Sequence, residues 1–217
     1  MFKAIRQDLQ AVFDRDPAAT SRMEVIVTYA GFHALVAYRL AHWLKVRNVP
    51  FIPRLISQIA RWATGIEIHP SAKIGTGFFI DHGMGVVIGE TAEIGDHVTL
   101  FQGVTLGGTG KERGKRHPTL GDHVLVGAGA KILGGITIGD NVKIGANSVV
   151  LKSVSANSTV VGVPARVIKS QGDRLPDATM DQTNLPDPIS DRFLALEQEM
   201  IQLRKKLENL DNLPSRS

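Results

Sequence analysis

Between Ile68 and Val150 an isoleucine, leucine or valine returns at every sixth residue, and glycine commonly follows it. The blocks IHPSAK, IGTGFF and IDHGMG begin at 68, 74 and 80; others begin at 88, 94, 100 and 106, then at 120, 126, 132, 138, 144 and 150. A helix renews its apolar face about every 3.6 residues and a strand every second one, so neither carries this period. A solenoid does: three hexads, about 18 residues, close one triangular coil whose hexad-leading side chains point inward. The fifth residue of each hexad, among them Val98, Val124, Ala130, Ile136, Val142 and Ser148, is expected to fill the corner beside it. The stretch from Ile68 to Pro164 then makes about five coils and, at ~4.8 Å per strand spacing, a prism roughly 25 Å tall. Two intervals break the period. Ile80 to Ile88 takes eight residues, predicting a bulge over residues 81–87, and Leu106 to Leu120 takes 14, predicting a loop over 107–119.

Upstream the pattern is helical. Phe2, Ile5, Leu9, Val12 and Phe13 recur at three and four, as do Phe32, Leu35, Val36, Leu40, Trp43 and Leu44. Pro50 and Pro53 are expected to break this pattern before a short third helix over 55–63. These helices are apolar on more than one face, so part of that surface is expected to meet another subunit. Downstream, residues 169–188 read as a linker. Beyond it Ile189, Phe193, Leu196, Met200, Leu203, Leu207 and Leu210 follow the spacing of an a/d seam. Arg192 with Glu197, Glu199 with Arg204, and Lys206 with Asp211 are opposite in sign across a parallel seam. The organisation expected is a helical region over 1–64, a β-solenoid over 65–168, a linker, and a coiled-coil helix over 189–212.

Composition narrows the chemistry. The chain has 217 residues and no cysteine, which removes disulfides, cysteine-ligated metals and a thiol nucleophile. Its net charge of +4 suits anionic small molecules but lacks the basic stripe of a nucleic-acid binder. The most apolar long stretch, residues 25–46, carries His33, Arg39 and His42, so no membrane span is expected. The opening residues lack a signal-peptide pattern, and a cytoplasmic protein is the expectation.

Seven histidines stand at 33, 42, 69, 82, 97, 117 and 123. His97 and His123 follow Gly-Asp at equivalent bends and should be exposed, while His33 and His42 should pack or cap. His82 and His117 differ, because each lies at an interruption of the period. A histidine held beside a carboxylate in a cleft can take a hydroxyl proton and return it to a leaving group. Glu67, close to one coil before His82, is the candidate partner in the adjacent layer. The loop over 107–119 holds Lys111, Arg113, Lys115 and Arg116 against Glu112, and loops on rigid scaffolds often carry ligand contacts.

The segments IDHGMGVVIGETA, LGGTGK and RHP, with DPAA at 16–19, GFHALVAYRLAHWL at 31–44 and VGVPARVI at 161–168, resemble the bacterial serine O-acetyltransferases. The resemblance spans roughly residues 10–170. It implies a left-handed parallel β-helix preceded by α-helices, and a homotrimer or dimer of trimers with active sites between subunits. It implies acetyl transfer from acetyl-CoA to the hydroxyl of L-serine, without a metal. The family's catalytic histidine falls on His82 and its carboxylate on Glu67, where Asp is usual. Its second histidine falls on His117, beside Arg116 as the grip for the substrate carboxylate; Asp81 and Asp16 match acids that contact the substrate ammonium. For His117, binding the carboxylate and stabilising the tetrahedral oxyanion are both open.

For coenzyme A, Gly103, Gly108, Thr109, Ala128 and Ala146 are small enough to admit the pantetheine arm, and Lys111 or Lys143 could meet its phosphates. An acetyltransferase with another hydroxyl acceptor is a second reading, a metal-dependent hydratase resembling the gamma-class carbonic anhydrases and using His82, His117 and His123 a third, and a noncatalytic scaffold a fourth. Many family members end in a terminal isoleucine that docks into O-acetylserine sulfhydrylase. The ending LPSRS argues against such a complex.

Overall fold

The structure, a computed structural model, describes residues 1–110, 113–170, 193 and 196–205. Four helices come first: α1 (Phe2–Arg15), α2 (Arg22–Thr28), α3 (Ala30–Lys45) and α4 (Ile52–Thr64). The short α2 is absent from the periodicity. A capping box marks it instead, in which Ser21 accepts the Glu24 N–H while the Glu24 carboxylate accepts the Thr20 N–H at 3.0 Å. Pro53 does not precede α4 but lies in its first turn, where a missing N–H costs nothing, so the helix begins before the expected residue 55. Gly65, left-handed at φ +71°, ends α4 two residues before the first strand.

The hexads then fold as short strands, three to a coil. β1 (Glu67–Ile68), β2 (Lys73–Ile74) and β3 (Phe79–Ile80) make the first coil. β4 (Val87–Ile88), β5 (Glu93–Ile94) and β6 (Thr99–Leu100) make the second, and β7 (Thr105–Gly107), β8 (Thr119–Leu120) and β9 (Leu125–Val126) the third. β10 (Lys131–Leu133), β11 (Thr137–Ile138) and β12 (Lys143–Ile144) follow, then β13 (Val149–Val150) and β14 (Ser158–Gly162). Parallel pairing stacks them into three sheets: β1-β4-β7-β10-β13, then β2-β5-β8-β11, then β3-β6-β9-β12-β14. β15 (Ala165–Ser170) folds back antiparallel on β14, so the sheet runs past Pro164. The architecture is the left-handed β-helix of hexapeptide repeats, preceded by helices.

Every hexad-leading residue from Ile68 to Val150 is buried, at most 9% exposed, in one continuous core. Full burial of such side chains stabilises by roughly 1.5–3 kcal/mol each before chain entropy is counted. The corner residues named from the sequence are buried except Ile136, which is half-buried, and in the bulged hexad the fifth residue, Met84, is exposed. The coil bulges over 81–86, where Val86 supplies the buried corner side chain.

The helical region docks on the first coil through specific groups. First-coil N–H groups donate to the second coil, as Glu67 does to Val86 and Lys73 to Ala92, leaving carbonyls on the opposite edge. Helical side chains donate to them: Ser57 to Ile68 O at 2.7 Å, His42 Nδ1 to Pro70 O at 2.8 Å, Tyr38 to Ala72 O at 2.7 Å and Arg39 to Ile74 O at 2.6 Å. Arg39 also clasps buried Asp8, which accepts the Phe78 N–H at 3.1 Å. Phe79 points outward from β3 into a second core with Ala11, Val12, Val25 and Phe32. Gly31 is required for this approach, because a Cβ there would lie 2.2 Å from the Ile80 carbonyl oxygen.

Residues 1–184 form one compact unit and 185–217 a second. In the second, residue 193 and residues 196–205 are helical, with Phe193, Leu196, Met200 and Leu203 exposed. Linker residues 171–188 and the seam positions Ile189, Arg192, Lys206, Leu207, Leu210 and Asp211 lie outside the described residues. Among the described residues no helix is long and apolar enough to cross a membrane.

Candidate active site

The three sheets meet at three edges, and the residues of interest occupy two of them. The edge after β3 carries Asp81 and His82. Helix α1 ends at Arg15, whose guanidinium donates to Thr99 Oγ1 at 3.0 Å, and this anchor holds the following Asp16 near the end of β3. Asp16 accepts the Ala18 N–H and the Tyr29 hydroxyl, both at 2.8 Å. Burial pushes the Asp81 carboxyl up, the His82 imidazole opposes that shift, and the neighbouring Asp16 carboxylate adds to it. Burial together with Asp16 raises Tyr29 to about 12, so it remains a hydroxyl donor. Two carboxylates close enough at a helix–coil junction to feel one another's charge favour a cation between them.

His82 stands beside this pair with left-handed backbone (φ +58°) and a side chain 75% exposed. Its Nε2 is 3.8 Å from Asp81 Oδ1. Glu67 is not its neighbour in the ladder. The bulge separates paired strands by twenty residues, so Glu67 registers with Val87, and its carboxylate pairs with Arg61 at 3.3 Å.

The edge after β7 carries Arg116 and His117, and it is densely bonded. Arg116 Nη2 lies 2.8 Å from Glu90 Oε2. Thr91 Oγ1 accepts the backbone N–H groups of Arg116 and His117, both at 3.1 Å, and lies 2.9 Å from His117 Nδ1. His117 is only 7% exposed and Pro118 beside it is buried, so these two occupy the corner before β8. Burial, then the Arg116 charge, lowers His117 from the ordinary imidazole value. Below it, His69 accepts the Ser71 N–H on Nδ1 and burial lowers it to about 4.

The small residues divide between the same two edges. Gly103, Ala128 and Ala146 lie on the His82 edge, where Gly103 stacks on Gly129 so closely that a Cβ would be 3.4 Å from its Cα. Gly108 and Thr109 lie on the other, Gly108 against Arg116 and His117. Lys143 is on a sheet face in β12, and Lys111 lies outside the described residues. His97 and His123 are exposed and stacked at 5.0 Å on the third edge. Among the described residues, no three His, Asp or Glu side chains are grouped as a metal ion would need.

Tyr29, Glu90 and Thr91 escaped the sequence reading. For the last two a signal existed, since Gly-Glu-Thr-Ala replaces the Gly-Asp-x bend of neighbouring hexads. Tyr29 carried none, because its contact with Asp16 exists only once α3 docks.

Residues 1–37 match the family described as serine acetyltransferase, N-terminal, and residues 117–152 match bacterial transferase hexapeptide (six repeats). A serine acetyltransferase of Bacillus pumilus is 56% identical over 216 residues, covering 100% of this chain and 99% of its own. The chain belongs to the serine acetyltransferase family. Two solved serine acetyltransferases share its fold. One from Vibrio cholerae is 43% identical with a TM-score of 0.81, over 84% of this chain and 71% of that one. Another, from Neisseria gonorrhoeae in complex with serine, is 42% identical with a TM-score of 0.75, over 77% and 69%.

Proposed function

We propose that this serine acetyltransferase moves the acetyl group of acetyl-CoA to the hydroxyl of L-serine, giving O-acetyl-L-serine and CoA, the first step of cysteine biosynthesis, with His82 as general base. The observation that carries the acceptor assignment is the meeting of Asp16 and Asp81 beside His82. Their carboxylates suit an α-ammonium group, whose positive charge a sugar hydroxyl lacks. The Arg116 guanidinium, half-exposed and steadied by Glu90, keeps further N–H donors for the α-carboxylate. With both ends held, the serine hydroxyl is presented to His82.

A serine hydroxyl is a weak nucleophile at neutral pH. His82 removes its proton as the oxygen bonds to the thioester carbonyl carbon, and a tetrahedral oxyanion forms. Its collapse breaks the C–S bond, and the imidazolium gives its proton to the departing thiolate. No enzyme-bound acyl intermediate is needed, consistent with a chain that lacks cysteine. Asp81 is the carboxylate within reach of the imidazolium in the single chain, and Glu67 is assigned the orienting role the family gives its position. The pantetheine arm is assigned to the strip of small residues, Gly103, Ala128 and Ala146 from one edge and Gly108 and Thr109 from the other.

Assembly follows from the division between edges. Neither edge alone holds base, ammonium seat and carboxylate grip, so the site is inferred to close between copies in a homotrimer, the His82 edge of one against the His117 edge of the next. The exposed row Ile52, Leu55, Ile59 and Trp62 on α4 supplies apolar surface for such contacts. Free-thiol release from acetyl-CoA, measured with L-serine and with sugar acceptors, tests the assignment. Robust turnover of a sugar with none of serine would overturn it.

A further inference from the structure

Glu90 of the Gly-Glu-Thr-Ala corner following β4 steadies Arg116; the adjacent Thr91 has no role in the chemistry so far, yet it is the hub of the second edge. Three of its groups are committed. Its Oγ1 accepts two backbone N–H groups, from Arg116 and His117, both at 3.1 Å. Its carbonyl accepts from Lys115 Nζ at 2.8 Å. Its own backbone N–H donates to His117 Nδ1 at 3.2 Å, and Oγ1 lies 2.9 Å from the same nitrogen.

These partners leave one assignment of hydrogens. A backbone N–H is always a donor, so Nδ1 must accept. With two N–H groups already directed at Oγ1, the threonine O–H is free to point at Nδ1 as a second donor. Were Nδ1 protonated, its hydrogen would oppose the Thr91 N–H and crowd a hydroxyl oxygen already accepting twice. The single proton of neutral His117 therefore resides on Nε2. A half-turn would put Cδ2 in place of Nδ1 and forfeit both donors, so the ring stays as it is. It is packed over Gly89, where a Cβ would lie 2.0 Å from Nε2, and its Nε2 lies beside Gly108, where a Cβ would come within 3.1 Å. Nε2 has no hydrogen-bond partner among the described residues.

We propose that Thr91 is a positioning residue that fixes His117 as the neutral Nε2–H tautomer, so that His117 serves acetyl transfer as a donor to an anionic oxygen and not as a second base. The assignment rests on the reading above for the identity of the reaction, but the tautomer is independent of it. The charged and titratable groups around the ring are Glu90, Lys115, Arg116 and His69. Burial and the Arg116 charge disfavour the imidazolium there, which is consistent with a ring kept neutral.

The experiment uses the full-length protein labelled with 15N-histidine, with His117→Asn identifying the signal. Long-range 1H–15N spectra should show the His117 proton on Nε2 near neutral pH. Thr91→Val removes the hydroxyl at nearly constant volume and leaves the backbone N–H as the one donor to Nδ1; it should weaken the hold on that tautomer so that a share of Nδ1–H appears, raise the pH at which His117 protonates and lower kcat/KM for L-serine. The fall should be about 10- to 10²-fold, no larger than deleting a donor outright. KM for acetyl-CoA should stay unchanged, and Thr91→Ser should restore both spectrum and rate. An Nδ1–H tautomer in the unsubstituted protein would overturn the proposal. So would a folded Thr91→Val enzyme whose tautomer ratio is unchanged, or one whose ratio shifts without loss of rate. Should the valine variant fail to fold, Thr91→Ala takes its place. Failure of the unsubstituted enzyme to acetylate serine would instead remove the functional reading and leave the tautomer standing.

Discussion

The two edges of the prism present histidine in opposite ways. His82 is largely in solvent, with one carboxylate at 3.8 Å, whereas His117 is buried under a threonine that donates to it and an arginine that disfavours its charge. The difference matches two chemical duties. A general base changes protonation state in every turnover and needs room for a nucleophile, so its own chain leaves it open. A hydrogen-bond donor to a developing charge does best when it cannot reorient, because reorganisation is then not required at the moment of reaction. In the proposed site the preorganised half comes from one edge and the labile half from the other.

Substituting His82 is the sharpest way to test that division. His82→Ala should lower kcat by roughly 10²–10⁴-fold with the fold intact, since its side chain packs against little. Near-normal kcat in a folded variant would end its role as base. On the other edge Arg116→Lys should raise KM for L-serine about 10-fold or more with a smaller change in kcat, because a lysine cannot hold a carboxylate bidentately. Equal losses in serine and acetyl-CoA affinity would show that Arg116 serves the loop rather than the substrate. Glu67→Gln lies between the two: the loss in kcat should be smaller than for His82→Ala, and an unchanged rate would mean that the ion pair with Arg61 is its whole function.

A pH experiment separates the edges by stability. His69 lies on the bonded edge, and its folded value of about 4 is below the ordinary 6.5. The unfolded chain therefore takes up the proton first on acidification. Its contribution to stability is full above pH 6.5 and is lost as pH falls toward 4. His69→Gln should accordingly flatten the decline of Tm across that window, and an unaltered slope would assign the acid sensitivity elsewhere. Smallest of all, deleting residues 189–217 should leave acetyl transfer near normal, because every residue assigned to the site precedes Pro164, while lowering the tolerance of the assembly to dilution. Light scattering across a dilution series checks it; an equally robust truncated oligomer would remove the coiled-coil proposal.

The solenoid was legible because each hexad repeats one physical demand, an inward aliphatic residue beside a tight bend, and the structure meets that demand from Ile68 to Val150. The interruptions were legible as interruptions. What they brought together was not, since the two-residue bulge alters register as well as length, and Glu67 consequently faces Val87. His117 was singled out by position, but its burial depended on Gly89 being small one coil away, a relation no local pattern carries. Likewise Asp16 meets Asp81 only through the anchoring of Arg15 on Thr99 and the close approach of Gly31 to β3. Periodicity reports the scaffold, whereas the site arises where separate elements touch.

The side chains that bond the first coil from above also decide how long the solenoid can be. A parallel coil with free carbonyls on one edge is a template onto which another chain could add strands without limit. Ser57, Tyr38, Arg39 and His42 occupy those acceptors one by one, and at the far end β15 runs antiparallel and breaks the repeat of direction. Stripped of its helices, the same domain would expose the beginnings of a fibril; with them the first coil is closed to added strands, and β15 turns back the sheet that ends in β14.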